Sequence, residues 1–153
     1  MLNKFTKKEV VDKLLSKSLE CYDHQEILLS YLYARQAFLQ NENDPSALEN
    51  LVICLFNIKH YKAALQHSDT WFKIVRDPRI DSSANMYFIR GKCLLEMGKY
   101  DESIDPFRKA TGLFIQLRNQ DRVSEIDRIL RDELPRRRQY NIVISKIHSI
   151  LTF

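Results

Sequence analysis

Apolar residues recur along most of the chain at spacings of three and four residues, the pattern of one buried face of an α-helix. The first run follows Thr6, which lies three residues before Glu9 and predicts a capping box at a helix start. Asp44 and Pro45 predict another start, an N-cap residue followed by proline at the first helical position. The pattern predicts eight helices, the last six over about 46–58, 60–75, 82–97, 100–117, 120–135 and 138–152.

The amino-acid composition narrows both the fold class and the chemistry. Only 3 glycines and 4 prolines occur in 153 residues, too few for the turns of an all-β fold, and no glycine-rich phosphate-binding motif is present. The sequence therefore predicts an all-α fold. Cys21, Cys54 and Cys93 are widely spaced and the 4 histidines lack metal-ligand spacing, so we expect no metal, no cofactor and no disulfide framework. No grouping of nucleophile, base and acid stands out, so we expect no catalytic residues and no enzyme activity.

The helices repeat in pairs along the sequence. A shift of 34 residues superimposes the first pair on the second, and a further shift of 39 superimposes the second pair on the third. The additional residues of the longer shift fall in the loop around Asp77–Asp81, where an insertion costs little. Residues matched by these shifts include Leu14 with Leu48, Phe38 with Phe72, Cys54 with Cys93, and Tyr61 with Tyr100.

The third repeat most clearly resembles the tetratricopeptide repeat. Its matching residues are Tyr87, Gly91 and Leu94 in the first helix, the turn Gly98-Lys99-Tyr100, and Ser103, Phe107 and Ala110 in the second helix. The resemblance implies a right-handed solenoid of antiparallel helix pairs, in which three or more repeats together bury a continuous core. The predicted organisation is three repeats over residues 1–118, followed by capping and basic amphipathic helices over residues 119–153.

The resemblance also implies a concave groove, lined by the first helix of each repeat, in which members of the family bind extended or helical peptides. By the repeat register, the predicted partner-binding residues are Leu15, Leu19, Tyr22, Asn50, Ile53, Asn57, Phe88, Ile89 and Lys92. Because most of these side chains are apolar, we expect the partner to be a helix or a hydrophobic peptide. The expected function is that of a non-catalytic protein-interaction module: an adaptor or scaffold, a co-chaperone-like module or an assembly subunit.

Co-chaperone members of the family hold the C-terminal carboxylate of EEVD tails with a clamp of basic residues and asparagines. Of the residues that the register places at the clamp positions, Asn50 alone matches. Leu15 and Leu19 stand where the first lysine and asparagine would be. Asn85 and Ile89 replace the later basic pair. Without cations the charge-assisted hydrogen bonds of such a clamp are lost, so the sequence predicts no carboxylate clamp.

The excess positive charge is concentrated near the end of the sequence. The net charge is +4, and residues 1–135 carry 20 basic and 20 acidic side chains. The excess comes from a basic tail, Arg136, Arg137 and Arg138, together with Lys146. We expect the three arginines to be free to meet an acidic partner.

Two apolar faces lie in the C-terminal region. The seventh helix carries Val123, Ile126, Ile129 and Leu130, which we expect to cap the last repeat. The eighth helix carries Ile142, Val143, Ile147, Ile150 and Leu151, with Phe153 at the end. We expect this second face to pack on the seventh helix; the alternative is a homodimer through the C-terminal helix.

The sequence is also compatible with other functions, and it bears on the location. The alternative within the family is the N-terminal array of an anaphase-promoting-complex-type subunit, acting in self-association. Bacterial secretion chaperones share the layout of three repeats, but we would expect those to be acidic. A helical-repeat RNA-binding protein is suggested only by the isoelectric point near 9.0 and the basic tail, so nucleic acid is a disfavoured partner. No apolar run is long enough to span a membrane and no apolar leader begins the sequence, so we expect a cytoplasmic or nuclear location.

Overall fold

The computed structural model describes residues 6–151, and within that range all of the regular structure is helical. The helices are α1 (Lys7–Asp23), α2 (Ile27–Gln40), α3 (Pro45–Asn57), α4 (Tyr61–Ile74), α5 (Ile80–Glu96), α6 (Tyr100–Gln116), α7 (Gln120–Arg128) and α8 (Leu134–Leu151). A π-helical turn, Ile129–Glu133, joins α7 to α8. The all-α prediction is confirmed.

Both predicted helix starts are present. The Glu9 amide donates to Thr6 Oγ1 at 3.2 Å, while the Thr6 amide donates to Glu9 Oε2 at 2.6 Å, which completes the capping box. At α3 the Ala47 amide donates to Asp44 Oδ1 at 2.9 Å, with Pro45 in the first turn. These caps supply partners for amides that a helix start leaves without an internal acceptor.

The same backbone turn closes each helix pair. Gln25, Lys59 and Gly98 have φ angles of 62°, 64° and 75°, in the left-handed region. The residue after each of them donates its amide to a carbonyl five residues earlier, as in the bond from His60 N to Leu55 O at 2.8 Å. The three turns are spaced by the same 34 and 39 residues as the sequence repeat, which confirms the repeat register. Arg118, with a φ of 54°, forms the equivalent turn between α6 and α7.

The chain divides into two compact units, with the division between Ser82 and Ser83. In the N-terminal unit α2 packs against both α1 and α3. Val11 from α1, Ala37 from α2 and Ala47 from α3 are buried together, with Leu14 and Leu15 packed against them. The small side chains at the centre of this cluster let the three helices approach closely.

The core of the C-terminal unit is built around three phenylalanines. Phe88 of α5 lies edge-on to Phe107 and Phe114 of α6, with ring centroids 6.2 and 6.3 Å apart. Ile126, Ile129 and Leu134, from α7, the π turn and α8, are buried in the same core. Residues of the C-terminal extension therefore pack against the third helix pair.

The predicted break at Pro135 is wrong. The helix that starts at Gln120 continues through the π turn into α8 and reaches Leu151. Proline lacks an amide hydrogen and its ring crowds the carbonyl four residues earlier. A π turn with the Leu134 amide bonded to Ile129 O lies directly before Pro135 and widens the backbone there, which lets the helix continue.

The expectation that the eighth helix packs on the seventh is also wrong, because the two form one continuous helix and cannot lie side by side. The apolar side chains of α8 that were expected to be covered are exposed. They are Ile142, Val143, Ile147, Ile150 and Leu151.

The left-handed turns generate the first prediction. Gly98→Ala should lower the free energy of unfolding by about 0.5–1 kcal/mol, because a side chain in this conformation costs about 1–2 kcal/mol, partly offset by the lower flexibility of the unfolded alanine chain. Lys59→Gly should raise the free energy of unfolding by a similar amount, because it removes a side chain from the same left-handed conformation. Denaturant titration of both variants measures the effects, and a change of the same sign in both would contradict the account.

The second prediction concerns Gly91 of α5. A Cβ atom at this position would lie 2.7 Å from the ring of Phe107, which is fully buried. Gly91→Leu should therefore lower the free energy of unfolding by at least about 1–3 kcal/mol. Gly112→Leu is the matched control, since nothing lies within 4 Å of its Cβ position. A thermal melt that shows equal effects at the two glycines would contradict the predicted close approach of α5 and α6.

Candidate partner-binding surface

The face of α1 that carries the first three predicted groove residues is open to solvent. Leu19 is 57% exposed and Tyr22 is 41% exposed, while Leu15 is half-buried. Their spacing of four and three residues places them in line along one side of the helix. We call Leu15, Leu19 and Tyr22 the α1 stripe. A continuous apolar stripe of this kind is typical of a surface that contacts another molecule.

Acidic side chains border the α1 stripe on its exposed side. Asp12 and Asp23 are exposed and by helical geometry lie beside Leu15 and Leu19, while the exposed Lys8 lies in line with the stripe. In the described part of the chain, these two carboxylates form no ion pair. The surface therefore combines apolar contact area with charges of both signs.

Asn50 of α3 is engaged by its own neighbours. Ser18 Oγ of α1 lies 3.2 Å from Asn50 Oδ1 and 2.9 Å from the carbonyl oxygen of Ser30 in α2. Cys54 donates its thiol to Asn50 Oδ1 at 3.3 Å. Burial raises the pKa of Cys54, which keeps that thiol protonated and able to donate. We call Ser18, Ser30, Asn50 and Cys54 the polar cluster; it joins α1, α2 and α3.

Sequence reasoning identified Asn50 as a groove residue and missed its structural role. The signal that could have revealed it was the spacing of small polar residues: Ser18 and Ser30 lie on the buried faces of α1 and α2. A buried hydroxyl needs a hydrogen-bond partner, and the amide of an asparagine on the next helix supplies an acceptor. Ile53 and Asn57, further along α3, are half-buried.

The predicted residues of α5 occupy a different environment. Phe88 and Ile89 are buried, and the Arg122 guanidinium lies 4.7 Å above the centre of the Phe88 ring. Lys92 is half-buried. Phe88 thus packs in the core of the C-terminal unit, and a part for these three residues in partner binding stays a prediction.

Two of the three arginines of the basic tail are paired with acidic side chains, contrary to expectation. Arg137 donates to both oxygens of Glu96 at 3.0 and 3.2 Å and pairs with Glu133 at 2.7 Å, and the contact with Glu96 raises its pKa. Arg138 pairs with Asp101, and Arg136 donates to the carbonyl oxygen of Asp132. Sequence reasoning missed these contacts because Glu96 and Asp101 lie about 40 residues earlier in the chain.

Two kinds of site have no candidate among residues 6–151. That range contains no cluster of three or more histidine, cysteine, aspartate or glutamate side chains suited to a metal ion. None of the helices described is both long and apolar enough to cross a membrane.

No protein-family model matches the sequence, and no curated protein gives a significant match. Solved structures do match the fold. The tetratricopeptide domain of Arabidopsis OM64 has a TM-score of 0.69 at 17% identity, over 84% of this chain and 99% of that one. PcrH in complex with the chaperone binding region of PopD has a TM-score of 0.70 at 16% identity, over 90% of this chain and 99% of that one.

A third solved structure is the type III secretion translocator chaperone SycD of Yersinia enterocolitica. It has a TM-score of 0.71 at 15% identity, over 91% of this chain and 92% of that one. At these identities the matches establish the fold. The chain has the all-α helix-pair fold of the tetratricopeptide repeat, as the resemblance in the third repeat predicted.

Proposed function

We propose that the chain is a non-catalytic protein-interaction module that binds the apolar side of a partner helix or a hydrophobic peptide on the α1 stripe, together with the half-buried Ile53 and Asn57 of α3. The observation that carries this proposal is the α1 stripe, in which Leu19 and Tyr22 are exposed and the half-buried Leu15 lies in line with them. A row of apolar side chains at helical spacing matches the anchor spacing of an amphipathic helix laid against it.

Charged side chains of both signs lie along the α1 stripe. Lys8, Asp12 and Asp23 would act mainly on association rate and specificity, while the apolar side chains supply most of the affinity. The partner we propose is therefore an amphipathic segment.

The solved structures with this fold support a chaperone-like role. PcrH was solved bound to a segment of PopD, and SycD is a translocator chaperone. Holding a segment of another protein is compatible with the proposed use of α1 and α3. An adaptor, an assembly subunit and an anaphase-promoting-complex-type subunit would use the same kind of surface, and the sequence favours none of them by a motif.

RNA binding is less compatible with the observed charges. Arg137 and Arg138 are engaged by Glu96, Glu133 and Asp101, which lowers the positive charge available for phosphate contacts. We therefore keep protein as the proposed partner class, with a cytoplasmic or nuclear location as a further prediction.

The third prediction tests the α1 stripe directly. Peptides selected from a random library on the wild-type chain should be apolar on one helical side. Leu19→Asp should weaken the best of them at least about tenfold, because a buried carboxylate would replace an apolar anchor. Fluorescence polarisation with that labelled peptide measures the loss.

Leu28→Asp is the matched control for this experiment. Leu28 lies on α2, outside the proposed surface, and is 66% exposed, so the substitution adds the same charge without touching the α1 stripe. Retained binding is expected. If Leu28→Asp abolished binding while Leu19→Asp did not, the proposed surface would be wrong.

The fourth prediction concerns carboxylate recognition. A free peptide ending in EEVD should bind no more tightly than about 1 mM, since Leu15, Asn85 and Ile89 replace the cationic clamp residues and leave the carboxylate without a charged donor. Isothermal titration calorimetry tests this, with the C-terminally amidated peptide as control. Low-micromolar binding that disappears on amidation would show that a clamp exists.

A further inference from the structure

The first half of α8 is held against the C-terminal unit on one side of the helix. Leu134 is buried in the core of that unit. Arg137 donates to Glu96 at 3.0 Å, and Asn141 donates to the Tyr100 hydroxyl at 2.9 Å. Because Leu134, Arg137 and Asn141 lie on the same side of α8, the opposite side faces away from the unit.

That opposite side carries a row of exposed apolar side chains. Tyr140, Val143, Ile147 and Ile150 are between 45% and 73% exposed in the described part of the chain. They follow one another at intervals of three, four and three residues, the seam spacing of a helix that packs along another helix. We call these four residues the α8 seam.

The α8 seam has few charges around it. Between Gln139 and Leu151, α8 contains no aspartate or glutamate, and its basic side chains are Lys146 and His148. Lys146 lies beside the seam, whereas His148 lies on another side of the helix. Contact with this seam must therefore draw its free energy from apolar burial, and the partner that fits it is an apolar helix face with the same spacing.

A second copy of the α8 seam has that spacing, because intervals of three, four and three residues read the same in both directions. When two α8 helices run antiparallel about a two-fold axis level with Ser145, Tyr140 of one copy lies opposite Ile150 of the other. Val143 lies opposite Ile147 in the same arrangement. Each apolar side chain of the seam thus meets an apolar side chain.

We propose that two copies of this chain associate by antiparallel packing of their α8 seams. The contact is short, and interfaces below about 1,200 Å² in total are typical of weak, transient association. We therefore expect a reversible dimer with a Kd in the range of about 1–100 μM. The seam shares no residue with the α1 stripe, so this inference is independent of the proposed function.

Sedimentation equilibrium of the full-length chain tests the seam. Ile147→Asp should weaken self-association at least about a hundredfold, because the two-fold axis places two carboxylates in one apolar contact. Ile142→Asp is the matched control: Ile142 is 56% exposed on another side of α8, so this variant should associate like the wild-type chain. Circular dichroism confirms that both variants are folded.

Salt dependence is a second readout. Antiparallel seams bring no opposite charges together, and the two Lys146 side chains lie on the same side of the pair. Raising the salt concentration should therefore leave the dimer as tight or slightly tighter. A dimer that dissociates at high salt would contradict apolar pairing of the seams.

Cross-linking tests the antiparallel orientation. Tyr140→Cys and Ile150→Cys chains, mixed and treated with a short bismaleimide, should cross-link to each other. Neither variant alone should do so, because equal positions then lie about 15 Å apart along the helix axes. The native cysteines are buried, which limits their reaction with the reagent.

Several results would overturn the proposal. A wild-type chain that stays monomeric at about 1 mM, or equal effects of Ile142→Asp and Ile147→Asp, would exclude the seam as a dimer contact. Cross-linking by each cysteine variant alone, and not by the mixture, would show parallel pairing. A monomer that binds vesicles of phosphatidylcholine and phosphatidylserine, and loses that binding with Ile147→Asp, would assign the seam to a lipid surface instead.

Discussion

The left-handed turn that closes each helix pair is the constraint on which the rest of the structure depends. A helix can reverse within three residues when one residue takes a positive φ and the following amides bond back to its last turn. Gln25, Lys59 and Gly98 take this conformation at equivalent positions, so each pair is antiparallel and each second helix leaves at a similar angle. That geometry decides which side of α1 is buried against α2, and it leaves Leu19 and Tyr22 on the open side.

The polar cluster fixes the register of α1 against α3, which apolar packing alone does not do. Small apolar residues such as Ala37 and Ala47 allow helices to approach, but they tolerate small rotations and shifts. A buried hydroxyl that must reach both Ser30 and Asn50 is satisfied at one register of α1 against α3. Asn50 accepts two hydrogen bonds of this cluster with Oδ1, so a residue that the repeat register placed in the groove also serves the fold itself.

The features that were predicted correctly from sequence are those determined within a few neighbouring residues. Thr6 with Glu9, Asp44 with Pro45, and the repeat of the turns are local, and the structure contains all of them. The register also placed Leu19 and Tyr22 on an exposed face. The features that sequence reasoning missed depend on distant residues: the burial of Phe88 follows from Phe107 and Phe114, and the pairing of Arg137 follows from Glu96. Spacing along the chain carries no information about such contacts.

Pro135 shows how one local rule can mislead about function as well as fold. A helix break at Pro135 was predicted, and with such a break the eighth helix could turn back and bury its apolar side on the seventh. Because the π turn carries the helix past the proline, that side remains uncovered from Tyr140 to Leu151. An uncovered apolar helix face tends to associate, and its border charge selects among the surfaces it meets.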